Sequence, residues 1–198
     1  MNELAKQRIK ASFKYTWPLY IISAVVIALL LNFLFGVTHK IPNYRILTIF
    51  VSGEVTNEKK LRDDMMEKYQ DKELKSFNCI SVETTDRTYY SKLSIRGYNS
   101  ADILIIPVST LDNLVVDSFG LEFDESLKEY YQGYTLYQQQ DIAYGVKLDK
   151  EKVKDYMLFP NEDCYMILNG KSENIGKYSS KELSEHDNAL TLVKDWGM

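Results

Sequence analysis

From Trp17 to Val37 the chain reads WPLYIISAVVIALLLNFLFGV, in which 17 of 21 residues are apolar and none is charged. A helix of that length reaches roughly 31 Å, the thickness of a bilayer's hydrocarbon core. Trp17 and Tyr20 at one end and Phe33 and Phe35 near the other suit the interfacial aromatic belt. Pro18 is expected in the first helical turn, where its missing N–H costs nothing. A cleaved signal peptide needs a shorter apolar stretch, about 7–15 residues, and a small-x-small cleavage site. Leu34-Phe35-Gly36-Val37 does not offer that site, and no Cys near residue 37 could take a lipid after cleavage. A buried core helix would carry a polar stripe, which Ser23 and Asn32 do not make. Asn32 reads as a headgroup-level residue rather than as helix–helix glue. The expectation is an uncleaved anchor.

Beyond a short tether, Thr38–Asn43, the pattern changes period. Tyr44–Val51 is a β-rich run ending at Ser52-Gly53. Asn57 opens a helix with Glu58 in its first turn, where a carboxylate complements the dipole, and Leu61, Met65, Met66 and Tyr69 share one face. Phe77–Glu83 predicts a second strand, and Thr88–Gly97 a short helix. Ala101–Val108, ADILIIPV, has the continuous apolar character of a strand buried on both faces. Ser109 with Asp112 resembles a capping box opening a helix through Val116. This alternation predicts an α/β domain with a mostly parallel central sheet flanked by helices. Farther on, Asp124–Tyr131 reads as a short helix, Ile142–Leu148 and Asp163–Leu168 as strands, and Ser184–Trp196 as a closing helix with Leu190, Val193 and Trp196 on one side. No internal repeat is visible.

Composition narrows the class. The 198 residues include 26% charged side chains, 15 Tyr, 8 Phe, 2 Trp and only four Pro, which excludes a disordered or low-complexity chain. A net charge of -4 argues against nucleic-acid binding. Residues 1–16 carry Lys6, Arg8, Lys10 and Lys14 against Glu3, whereas only Lys40 and Arg45 closely follow the apolar run. The positive-inside rule then predicts a single-pass protein of the cell membrane. Residues 1–16 form a basic cytoplasmic tail, residues 17–37 the transmembrane helix, residues 38–43 the tether, and residues 44–198 an extracytoplasmic domain. That compartment permits a disulfide, but Cys79 and Cys164 fall in different strands and are expected as two buried thiols.

A strand ending in Ser52-Gly53, an amphipathic helix, a second strand and then NSADILIIP at Asn99–Pro107 resemble the first lobe of type II extracellular solute-binding proteins. Tyr144–Leu148, YGVKL, is similar to that family's strand leading toward the second lobe. The resemblance spans residues 44–148, in a small membrane-anchored form. It implies that the loops after the first and third strands border a ligand cleft. Only fifty residues follow Leu148, too few for a second lobe to close over a solute, and a membrane span stands where the family carries a lipid-attachment Cys. With one lobe, a ligand would stay largely wet, whereas pockets normally bury about 70–90% of it. A fold reused for partner contact fits these departures better than solute delivery.

The chemical inventory is sparse. His39 and His186, the latter expected in a helix, read as surface residues, and no CxxC, HExxH or acidic calcium loop occurs. Gly170-Lys171-Ser172 resembles the end of a phosphate-binding loop, yet Tyr165 stands where that motif needs Gly, so a plain loop is expected. Asp63-Asp64, Glu122 with Asp124, and Glu162-Asp163 read as solvated faces. No catalytic residue, metal or cofactor is expected. The tyrosines, including Tyr89-Tyr90, Tyr130-Tyr131, Tyr134 and Tyr137, divide between core packing and contact surface. Through the resemblance, Ser52, Gly53, Tyr89, Tyr90 and Ser109 are the candidate residues for binding a ligand or partner. Two functions follow as expectations. One is a non-catalytic anchored interaction module, held in the lipid bilayer by residues 17–37 and accessory to a transporter or other membrane assembly. The other is a reduced single-lobe small-molecule receptor with its site at the sheet's carboxyl edge.

Overall fold

The computed structural model describes residues 3–38, 41–179 and 186–198. The chain divides into two compact units, residues 1–41 and 42–198. The first contains α1 (Glu3–Thr38), a continuous helix. Its Thr16–Gly36 stretch has a mean hydropathy of 2.5 and none of it is buried within the protein, so it is long and apolar enough to cross a membrane. Because the helix starts at Glu3, Pro18 lies in its interior and not in a first turn. There it withholds a backbone donor from the helical ladder.

The second unit begins with β1 (Ile46–Val51), β2 (Glu54–Val55), α2 (Glu58–Lys68) and β3 (Ser76–Ser81). Asn57 caps α2 as expected, its Oδ1 accepting from the Lys60 N–H at 3.1 Å. A helical run over residues 89–100 follows, made of α3 (Tyr89–Lys92), a π turn (Leu93–Gly97) and α4 (Tyr98–Ser100). Next come β4 (Ile103–Pro107) and α5 (Val108–Leu111). The helix expected through Val116 stops at Leu111, and Ser109 lies inside it without capping it: its N–H and Oγ both bind Glu162. After α6 (Glu125–Tyr130) lie β5 (Leu136–Gln139), β6 (Ile142–Lys147), α7 (Lys150–Val153), β7 (Met157–Leu158), β8 (Cys164–Leu168) and α8 (Asn188–Trp196). Residues 184 and 185 of the expected closing helix lie outside the described residues, while Leu190, Val193 and Trp196 are buried as its pattern requires.

Six strands form one sheet in the order β3-β1-β4-β8-β6-β5. β3, β1 and β4 are parallel, joined through helical crossovers. β8 runs antiparallel between β4 and β6, and β5 pairs antiparallel with β6. The sheet is therefore mixed, not mostly parallel. Only the β5–β6 pair has a local cause: Gln140 and Asp141 are both at positive φ (54° and 63°), a conformation that makes this tight reversal. Residues 149–198 complete the sheet, since β8 is one of its inner strands.

Alternate residues of the central strands feed two cores. Leu47, Ile49, Val51, Ile103 and Ile105 meet α2, α6 and α8 on one face, while Phe50, Leu104 and Ile106 meet the 89–100 run and Phe119 on the other. Burying such side chains contributes roughly 1.5–3 kcal/mol each. Cys79 and Cys164 are both free, half-buried and buried respectively. Three strand spacings separate β3 from β8, roughly 14 Å, beyond the reach of a disulfide. Burial pushes the Cys79 thiol up to about 12 and the Cys164 thiol up to about 11, so neither is primed as a nucleophile.

Candidate functional site

Strand order reverses at β1, with β3 on one side and β4 on the other, which makes the carboxyl ends of β1 and β4 the switch point of the parallel part. Ser52 follows β1, and its N–H donates to the Ile105 carbonyl at 2.9 Å. Its Oγ lies 2.6 Å from the Tyr89 hydroxyl, a buried pair in which either oxygen can donate. The Tyr89 ring meets Phe50 and Tyr90 edge-on, with centroids 6.4 and 5.2 Å away. Burial pushes its phenol up to about 12, so it is protonated at neutral pH.

Gly53 lies beneath a two-stranded ribbon, β2 paired with β7. A Cβ placed there would come within 2.6 Å of the Leu158 carbonyl oxygen. The Gly53 carbonyl in turn accepts from Ser81 Oγ at 2.7 Å. Ser109 engages both carboxylate oxygens of Glu162, at 3.0 Å from its N–H and 2.9 Å from its hydroxyl. The Glu162 loop is anchored by the Lys150 ammonium, which donates to the Pro160 and Glu162 carbonyls.

The five candidate residues thus divide. Ser52 and Tyr89 are in direct contact, with Gly53 adjoining, but all three are buried: Leu158 of the β2–β7 ribbon closes on Gly53, while Tyr89 packs among Phe50, Val82 and Leu93. Tyr90 and Ser109 are exposed. Within the carboxylate pairs, Asp64 accepts from the Tyr156 hydroxyl at 2.7 Å and Glu162 holds Ser109, so these two are fixed contacts and not solvated faces. Beside this edge, Lys92 and Thr88 hold the Asp86 carboxyl well below the usual carboxylate range.

A second polar constellation stands at the opposite, amino edge. Asp102, immediately before β4, is buried and accepts from the Thr48 N–H at 2.7 Å, the Ser172 hydroxyl at 2.5 Å and the Asn174 amide at 3.1 Å. Burial pushes its carboxyl up to about 6, against the lowering effect of those donors. Asn174 also donates to the Ile46 carbonyl, and Asn188 donates to Asn174 at 3.3 Å. Asn169 donates to the Tyr98 and Ala101 carbonyls. The network joins the start of β1, the start of β4 and the segment after β8. None of its members was a sequence candidate. The signals were Asp102 inside the NSADILIIP run and Ser172 inside Gly170-Lys171-Ser172, which read as a strand and as a plain loop.

Among the described residues no group of His, Cys, Asp and Glu is arranged to hold a metal ion. His186 precedes α8 instead of lying within it and stacks on Tyr44, with centroids 4.5 Å apart and planes 3° from parallel. His39 lies outside the described residues. Gly170-Lys171-Ser172 forms a turn after β8, with no phosphate-binding helix behind it. No protein-family profile, curated protein or solved structure matches the chain, so function must be read from these arrangements themselves.

Proposed function

We propose that this protein is a non-catalytic, single-pass module that displays its α/β domain outside the cell membrane and docks a membrane partner such as a transporter or secretion assembly. The observation that carries the reading is an unburied apolar stretch, Thr16–Gly36, in the same chain as a domain whose switch-point residues Ser52, Gly53 and Tyr89 are buried. Oily side chains without protein cover need lipid or a partner helix. The four basic residues before the stretch support a cytoplasmic amino end. The likeness to one lobe of a solute-binding protein belongs to the same proposal, as a fold reused for contact. The receptor alternative would need Ser52, Gly53 and Tyr89 to face a solute, and all three are buried.

The test combines alkaline extraction of membranes with protease treatment of intact cells. Retention in the membrane pellet together with digestion of residues 42–198 is the expected result. A mature protein free in the medium, starting near residue 38, would overturn the anchor; a carboxyl-terminal portion untouched by protease would overturn the orientation. In-cell cross-linking from Tyr90 should then capture a membrane protein.

A further inference from the structure

A cavity of about 370 Å³ opens at the amino edge of β1 and β3, at the small end of the range for ligand pockets, about 300–1,000 Å³. Its position follows from the strand register. Leu47, Ile49 and Phe77 point to the α2 face, so Thr48 and its cross-strand partner Asn78 point to the other face. There the 89–100 helical run ends at Ser100, and the space beyond it is walled by Asp102, Asn169 and Lys171.

Thr48 is only 8% exposed, yet among the described residues its hydroxyl has no hydrogen-bond partner; the bond to Asp102 is made by its backbone N–H. That hydroxyl is not itself sealed off from solvent, so it opens on the cavity and is free to take a partner there. The side-chain N–H groups of Asn78 and the Lys171 ammonium are likewise without partners among the described residues. Behind them, Asp102 and Asn169 are held by the network described above, which makes the floor rigid. The cavity thus offers unspent donors and acceptors on fixed supports.

We infer that this amino-edge cavity is a binding site for a small uncharged polyhydroxylated molecule, a monosaccharide or polyol, recognised by Thr48, Asn78, Ser100 and Lys171. Each hydroxyl of such a ligand both donates and accepts, which is what a lining of hydroxyls and amides requires. Among the described lining residues the one cation, Lys171, is matched by the Asp102 carboxylate, so no surplus of positive charge selects a phosphate or free carboxylate. Among the described residues no aromatic ring lines the cavity, so recognition rests on hydrogen bonds and the affinity is modest. This inference does not depend on the docking role proposed above, and it places the ligand on the opposite edge from the expected cleft.

Saturation-transfer NMR on the full chain in nanodiscs, free of glycoside detergents, tests it. The probes are a panel of hexoses and linear polyols, with free amino acids and inorganic phosphate as counter-probes. Transfer to at least one hexose or polyol, and to neither counter-probe, is the expected result. Thr48→Val keeps the side-chain shape and removes the hydroxyl, and should weaken binding about tenfold. Asn78→Ala, at an exposed position, should weaken it too and serves if Thr48→Val fails to fold. Silence across the panel, preference for an amino acid or phosphate, or transfer unchanged in a folded variant would each overturn the assignment. The extraction and protease results bear only on the anchor, so the two readings can fail separately.

Discussion

At the carboxyl edge of β1 and β4 the chain covers itself: Ser52 and Tyr89 share a buried hydrogen bond, and Gly53 admits the Leu158 carbonyl of the β2–β7 ribbon. At the amino edge the buried groups are polar. One carboxylate, Asp102, collects three donors from β1 and the segment after β8, and an open cavity adjoins it. The first edge is held by close packing, where adding atoms does the damage. The second is held by hydrogen bonds at low dielectric, where removing a partner does it, because each orphaned donor keeps its desolvation cost.

Substitution at each edge should separate the two. Asp102→Ala leaves the Thr48 N–H, the Ser172 hydroxyl and the Asn174 amide without an acceptor, and should cost about 4 kcal/mol in urea unfolding of the full chain in micelles. Gly53→Val drives a side chain against the Leu158 carbonyl and should cost about 3 kcal/mol. It should also raise hydrogen exchange at the ribbon while leaving protection at the amino edge unchanged. A loss of protection at both edges would show that they unfold as one unit.

Acidity sharpens the contrast. Asp102 has a folded pKa of about 6 against an ordinary 3.8, so between those values the folded state holds a proton that the unfolded chain has released. The stability this contributes is complete below about pH 4 and is lost as pH rises through 6, roughly 3 kcal/mol in all. Asp102→Asn should flatten that part of the stability–pH profile, whereas Gly53→Val should leave its shape unchanged. The smallest effect is expected at the tyrosine pair. Tyr89→Phe removes the bond to Ser52 and should cost about 1 kcal/mol, while Tyr90→Ala, at an exposed position, should stay within about 0.5 kcal/mol.

Much of the carboxyl edge was legible in sequence. The β1 run, the Asn57 cap, the α2 face and the buried strand at residues 103–107 all carry local signals, because periodicity and capping act within a few residues. Sequence also brought Ser52 and Tyr89 into one neighbourhood. What it did not show is burial at this edge: Tyr89 closes on Ser52 from the helical run, and Gly53 is met by Leu158, a hundred residues away, in a ribbon too short to leave a pattern. The amino-edge network was illegible for a related reason. Asp102 follows the helical run and looks like strand preamble, and Ser172 and Asn174 look like loop; only pairing across the sheet brings them together.

The sequence by itself determined the apolar stretch, the approximate places of the longer strands and helices, and the absence of any familiar catalytic motif, because each depends on residue type at short spacing. Tertiary structure decided that the sheet is mixed, with β8 returning between β4 and β6, and that Pro18 sits mid-helix in a helix already begun at Glu3. It also decided which sheet edge is closed and which carries open polar groups. The outcomes in the sheet turn on where distant segments pair, and strand pairing is a choice among whole-chain arrangements that no local stretch of side chains specifies.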